Sequence, residues 1–269
     1  MTLRSDDLLR ELREAIHDER TQAADAINTL ARTQVARGLA PLFLTRGGRP
    51  FEQDAQLAAL LEARLLDRAA AVQKPPELLR FYRALLVAAD PPRAILELGV
   101  KGGASTALWK ALFPAATVVG VDIRLRSWLG AASTDGVIYI EGDQTDTALL
   151  ARIAEEHGPF DLVIDDGSHV SDHQAISLRA LMPHVRGDGL YVIEDVHTPT
   201  KAAADDRAAA YGEDLWPDFV TTMLNGLRRT PPGALTAAPG GRLALDVLPR
   251  TASLTIGARA IVLRAVGPR

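Results

Sequence analysis

Residues 94–106 read AILELGVKGGAST. The run AILEL, set off by Pro91-Pro92, has the apolar density of a strand buried on both faces. Gly99, Gly102 and Gly103 then let the backbone turn tightly, and Ser105 or Thr106 can start a helix whose N-terminus faces the turn. Strand, glycine turn and helix in that order open an α/β unit with a place for a ligand. The spacing is G-x-x-G-G, not the G-x-G-x-x-G of dinucleotide folds, which weakens an NAD reading. Taken alone, the glycines read equally well as turn punctuation, so their company decides.

Four more apolar runs follow: TVVGVD (117–122), VIYIEGD (137–143), FDLVIDDG (160–167) and GLYVIED (189–195). Helical patterns at 104–113, 146–157 and 172–185 separate most of them, which predicts βαβ units and a parallel sheet covered on both faces. The end of the chain, 242–266, reads as two or three strands around Gly257, an antiparallel edge to that sheet. Residues 196–235 show no clear period and contain Trp216, Pro217 and Pro231-Pro232, which suits a flexible lid.

Upstream, helical spacing runs from Ser5 to about Leu30 (Leu8, Leu9, Leu12, Ile16), and a turn-rich interruption follows at 38–51. A second helical stretch reaches about Ala71, KPP (74–76) punctuates, and 77–90 reads as a further helix. The expected organisation is a helical N-terminal extension over 1–76 and one α/β domain over 77–269.

Composition narrows the function classes. With 47% hydrophobic residues in 269, the chain can bury a substantial core. A net charge of −4 argues against nucleic-acid partners. No apolar run approaches the roughly 20 residues that span a bilayer, and the first twenty residues are too charged for a secretory signal. The absence of cysteine excludes disulfides, thiolate nucleophiles and cysteine-ligated metals. A cytoplasmic enzyme or binding protein acting on a small molecule is expected, with neither membrane nor nucleic acid as partner.

All five predicted strands end in acid: Glu97, Asp122, Glu141 with Asp143, Asp165-Asp166, and Glu194-Asp195. In open α/β sheets ligands bind outside these carboxyl ends. Asp122 lies 23 positions after Gly99, where a carboxylate can accept both hydroxyls of a ribose; with Asp143 at the next strand end, this favours an adenosyl group. Short-chain dehydrogenase chemistry lacks its Tyr-x-x-x-Lys pair.

If the fourth and fifth strands are neighbours, about 4.8 Å apart, then Asp166, Glu194 and Asp195 crowd together. No lysine or arginine lies nearby in sequence to neutralise them, and a hard divalent cation (Mg²⁺, Mn²⁺ or Ca²⁺) would relieve the repulsion. Singly, each acid reads as a helix cap or a solvated loop tip. Successive strand residues also face opposite ways, so Glu194 and Asp195 can share a metal only where the strand has unwound. His169, three residues past Asp166, stands where a general base is wanted; His173 reads as a surface residue and His197 as substrate-facing or supporting. Asp165 is assigned to the cofactor side or to the helix that follows.

The segments ELGVKGG, GVD, EGDQTD, VIDDGSH and YVIEDVHT, over about residues 93–198, resemble the S-adenosylmethionine- and Mg²⁺-dependent O-methyltransferases that modify macrolide sugars, the mycinamicin type. Kinship extends to cephalosporin-tailoring methyltransferase-like proteins. The resemblance implies a Rossmann-like class I methyltransferase sheet and methyl transfer to a hydroxyl on a sugar of a glycosylated natural product. It implies Asp166, Glu194 and Asp195 as ligands of Mg²⁺ (or Mn²⁺), and His169 as base. The cofactor set is Glu97, Gly99, Gly102, Gly103, Ser105, Asp122, Asp143, Gln144 and Asp165. The helical N-terminal arm suits a homo-oligomer, dimer or tetramer. Two other classes stand beside this one: a non-catalytic cofactor-binding scaffold, and an NAD-dependent oxidoreductase.

Overall fold

The structure is a computed structural model. It describes residues 90–130, 136–199, 211–228, 238–257 and 259–267, together with Lys74 and positions 78, 81, 82, 85 and 86. All belong to the second of the chain's two compact units, Phe51–Arg269. The helices read over 5–30 and up to about Ala71, and the boundary at 76, lie outside the described residues.

Seven strands, β1 (Ala94–Leu98), β2 (Thr117–Asp122), β3 (Val137–Glu141), β4 (Phe160–Asp165), β5 (Val185–Ile193), β6 (Thr251–Ile256) and β7 (Ile261–Ala265), form one sheet in the order 3-2-1-4-5-7-6. The first five are parallel, and β7 runs antiparallel between β5 and β6. Every residue of β1 is buried, as its unbroken apolar run requires. Alternation along the strands splits the core into two layers. Leu96, Leu98, Val163, Tyr191 and Ile193 face α2 (Thr147–His157), α3 (Ser171–Leu181), α4 (Trp216–Leu227) and α5 (Pro239–Val247). Ile95, Leu162, Ile164 and Val192 face Trp109 of α1 (Ala104–Leu112) and the helical positions 78, 81, 82, 85 and 86. Those five positions follow the i, i+3, i+4, i+7, i+8 stripe of one helix face, and Leu78 and Tyr82 are fully buried.

Two stretches differ from the sequence reading. Residues 216–227, taken as part of a lid, form α4, with Pro217 in its first turn where a missing N–H costs nothing. Its Trp216, Phe219 and Met223 pack into the same core as Leu243, Ala244 and Val247 of α5. Residues 242–247, taken as strand, are that helix; its apolar residues fit either period over so short a run, and packing against α4 selects the helical one. Two strands therefore follow, not three. In addition, α3 stops at Leu181 before the 3-10 turn Met182–His184, and β5 already begins at Val185.

Strand order reverses between β1 and β4, and the functional loops leave the sheet there. The Asp166 amide donates to Leu98 O at 2.9 Å, and the Glu194 amide donates to Asp165 O at 2.9 Å. The sheet ladder thus continues one residue past β4 and β5 and holds both acids at its rim. Gly99 has φ +90°, and a Cβ there would lie 2.0 Å from Asp166 O, so no other residue fits.

Candidate active site

The loop after β1 is tied to β2 by Asp122. Its Oδ2 accepts from the Val100 and Lys101 amides at 2.9 and 2.7 Å, and its Oδ1 accepts from the Arg124 amide at 3.0 Å. Gly103 also has positive φ, +79°, whereas a Cβ on Gly102 would meet open space. Ser105 is half-buried in the first turn of α1. Exposed Asp143 accepts from the amide and hydroxyl of Thr145, which lower its pKa.

Gln144 and Asp165, read as cofactor-binding, are instead turned inward. Asp165 is fully buried and accepts from Gln144 Nε2 (3.1 Å), Ser177 Oγ (2.8 Å) and Tyr191 OH (3.2 Å). Burial raises its pKa against the pull of these donors. Gln144 Oε1 accepts from the Ser168 amide at 2.7 Å. The pair braces the β3 and β4 loops against α3 and β5.

Past β4 and β5 the carboxylates divide into a buried half and an open half. The buried half surrounds Lys74, whose Nζ donates to Asp166 Oδ2 at 2.6 Å and to Glu194 Oε1 at 2.7 Å, with Glu97 Oε1 at 3.5 Å. Tyr82 OH donates to the same Glu194 oxygen at 2.5 Å. Strand alternation explains the grouping, because Glu97, Asp166 and Glu194 all fall on the face that carries Ile95, Ile164 and Val192. Burial works against the Lys74 charge, but Glu194, Glu97 and Asp166 outweigh it and hold the ammonium. Burial pushes Glu97 up to about 7 and Glu194 up to about 8; Lys74 opposes both shifts and the charge of Asp166 adds to them. Burial, with Glu194 next, also raises the Tyr82 phenol.

The sign of these shifts gives a pH dependence. The folded chain retains a proton on Glu97 that an unfolded chain, with its glutamate near 4.5, has released. Its contribution to stability is complete below about pH 4.5 and is lost as pH rises through about 7. In metal-free protein the urea midpoint is expected to fall between pH 5.5 and 8.5. Glu97→Gln should remove roughly 2–3 kcal/mol of that fall. An unchanged pH slope in the variant would contradict the assignment.

The open half comprises Asp166, His169 and Asp195, which each present a ligand atom, all within 4.8 Å of one another. His169 Nε2 lies 4.0 Å from Asp166 Oδ1 and 3.9 Å from Asp195 Oδ2. Asp195 Oδ1 lies 3.7 Å from Arg259 and 3.8 Å from His197 Nδ1. His169 and Asp195 hold left-handed backbones, φ +58° and +53°, strained for residues other than glycine and a recurrent mark of functional loops. β5 ends at Ile193, but the Glu194 amide still pairs with Asp165 O and the backbone turns left-handed only at Asp195, so the two side chains face different points. Of the three acids read as metal ligands, Asp166 and Asp195 come together with His169, while Glu194 faces Lys74 and Tyr82. His173 Nδ1 meets Ser168 Oγ at 3.0 Å.

The two carboxylates fit a hard divalent ion: Asp166 and Asp195 converge beside His169, and Asp195 Oδ1 is buried without a hydrogen bond. Sequence reasoning missed Lys74, Tyr82 and Arg259. Lys74 lies 92 positions from Asp166 and 120 from Glu194, and no local pattern ties it to either. The one available signal was helical: Tyr82 belongs to an apolar stripe, and Lys74 stands just before it.

The strand order 3-2-1-4-5-7-6 with an antiparallel β7, the glycine turn after β1 and the acid closing β2 define a class I S-adenosylmethionine-dependent methyltransferase fold. Among curated proteins, the chain is 45% identical over 114 residues to the 8-demethyl-8-(2-methoxy-alpha-L-rhamnosyl)-tetracenomycin-C 3'-O-methyltransferase of Streptomyces olivaceus, covering 40% of this chain and 28% of that protein. It is 46% identical over 111 residues to the mycinamicin VI 2''-O-methyltransferase of Micromonospora griseorubida, covering 39% and 27%. Among solved structures it resembles the MycE methyltransferase of the mycinamycin biosynthetic pathway, in complex with Mg, SAH and mycinamycin VI. That likeness has TM-score 0.53 and 27% identity over 80% of this chain and 56% of MycE. The chain thus matches little more than a quarter of these curated relatives' length and about half of MycE. No family model matches it.

Proposed function

We propose that the chain moves a methyl group from S-adenosylmethionine to a hydroxyl on a sugar of a glycosylated natural product, with Mg²⁺ or Mn²⁺ held by Asp166 and Asp195. The observation that carries this reading is the convergence of Asp166, His169 and Asp195 at the switch point, beside the glycine turn. The names of the relatives, which modify sugar positions on tetracenomycin and mycinamicin, support the acceptor class. Glu194, a third ligand by resemblance, has its Oε1 committed to Lys74 and Tyr82.

The chemistry explains the need for a base and an ion together. A sugar hydroxyl has a pKa nearer to water's roughly 15.7 than to histidine's roughly 6.5. A gap of even five units is near 7 kcal/mol, whereas a positioned base supplies about 10²–10⁴-fold, or roughly 3–5 kcal/mol. A divalent ion, when bound, supplies the remainder by lowering the pKa of a hydroxyl at the site. His169 Nε2, about 4 Å from the carboxylates of Asp166 and Asp195, takes the proton. The cofactor sulfonium is positive before transfer and neutral after it, so these anionic strand ends also favour the reactant cofactor. Beneath them the Lys74–Tyr82 layer keeps water from the buried oxygens.

The test is calorimetric. S-adenosylhomocysteine should bind the wild type and Asp195→Asn alike, Mn²⁺ should saturate one site in the wild type only, and methyl transfer to a panel of rhamnosides should need the metal. Tighter binding of NAD⁺ than of S-adenosylhomocysteine would favour the oxidoreductase; cofactor binding with neither metal nor turnover would favour the scaffold. A cytoplasmic homo-oligomer, dimer or tetramer, accompanies this reading on sequence grounds, with sedimentation velocity as its check. Among the described residues no helix is long and apolar enough to cross a membrane.

A further inference from the structure

Lys74 makes contacts that the proposed chemistry does not use. Its side chain is 4% exposed and its ammonium touches two carboxylates that face the metal by resemblance, Asp166 at 2.6 Å and Glu194 at 2.7 Å. A carboxylate oxygen bound to an ammonium at that distance is a weaker donor to a metal ion, and the ammonium itself repels one. A divalent ion bound to those two oxygens at about 2.1 Å would stand no more than about 4.8 Å from Nζ, unscreened by water. Glu194 Oε1 is further committed to Tyr82. Asp166 is the hinge between the two halves, with Oδ2 on Lys74 and Oδ1 turned toward His169.

Resting on the metal-dependent reading above, we infer that Lys74 is a tethered cation that competes with the divalent ion for Glu194 and Asp166. It holds Glu194 out of the ligand set and keeps metal affinity low until Lys74 is displaced. Lys74 is thus a positioning residue for the metal centre. Its charge, not its bulk, is what matters, because the contacts are ion pairs with oxygens on two different strand ends.

The experiment is Mn²⁺ binding, read by electron paramagnetic resonance of the free ion, on full-length protein saturated with S-adenosylhomocysteine. Wild type, Lys74→Met, Lys74→Arg, Lys74→Met/Glu194→Gln and Asp195→Asn are compared, each checked by its thermal transition. Lys74→Met should tighten Mn²⁺ at least tenfold, Lys74→Arg should stay within about threefold of wild type, and adding Glu194→Gln should cancel the gain. Lys74→Gln, whose amide still donates to a carboxylate, serves if the methionine variant does not fold. Unchanged or weaker Mn²⁺ binding without the Lys74 charge, while Asp195→Asn still abolishes the wild-type site, would overturn the competition and leave the metal reading standing. Binding by neither wild type nor any Lys74 variant would overturn both. Binding only after Lys74 is neutralised would support the competition in its strongest form, with the ammonium replacing the ion outright.

Discussion

His169→Ala is expected to lower the rate of methyl transfer by two to four orders of magnitude, with the affinity for S-adenosylhomocysteine unchanged. The imidazole Nε2 stands about 4 Å from two carboxylates, while Nδ1 is buried without a hydrogen bond. Nothing in that geometry braces the fold, so the thermal transition should move little. The diagnostic readout is the pH profile of the rate, from which the variant should lose the general-base limb. A variant with wild-type turnover, or one that keeps that limb, would remove His169 as the base. Because His169 also lies within reach of the proposed ion, Mn²⁺ affinity is measured alongside, and a loss greater than about tenfold would recast it as a ligand.

The second large effect falls on Asp166. Asp166→Asn removes the one carboxylate shared by both halves of the site, leaving Lys74 with Glu194 and Glu97 and leaving the open half with a single carboxylate, Asp195. Metal binding should become undetectable at millimolar Mn²⁺, and turnover should fall by at least about 10³-fold, because base catalysis alone does not cover the hydroxyl's pKa gap. Cofactor affinity should stay within a few-fold, since the glycine turn and Asp122 are untouched. About a quarter of the Asp166 side chain is exposed, so the stability cost should be modest, about 1–2 kcal/mol, short of that for a fully buried pair. Calorimetry, single-turnover kinetics and a urea titration read the three effects separately. Retained metal binding would move the proposed ion off the β4–β5 rim.

The parallel sheet was legible because its signals are local. The five strand runs and the acids that close them are each contiguous, and strand alternation carries them to one rim whatever happens elsewhere in the chain. α4 and α5 were not legible, because their apolar residues, Trp216, Phe219 and Met223 on one and Leu243, Ala244 and Val247 on the other, are selected by contact with each other. For the site, the convergence of Asp166 and Asp195 followed from strand adjacency. The sequence argument for a metal rested on acids without a neutralising neighbour, and folding supplies such a neighbour from outside the sheet, Lys74. Asp165 was left between the cofactor side and the helix that follows, and alternation turns its side chain to that helix, at Ser177, and to Tyr191.

The distance in sequence between Lys74 and its partners also orders assembly. The sheet's parallel pairs close over moderate loops, whereas Lys74 and Tyr82 meet Glu194 across 120 and 112 positions. The same two side chains also have near partners, Lys74 with Glu97 across 23 positions and Tyr82 with Trp109 across 27. These closures are shorter than the one that pairs β1 with β4, so the segment seats on β1 and α1 at less entropic cost than it closes to β5. The ammonium is thus tied to the first strand's end as well as to the last parallel strand's, and it clips together the two sides of the point where strand order reverses.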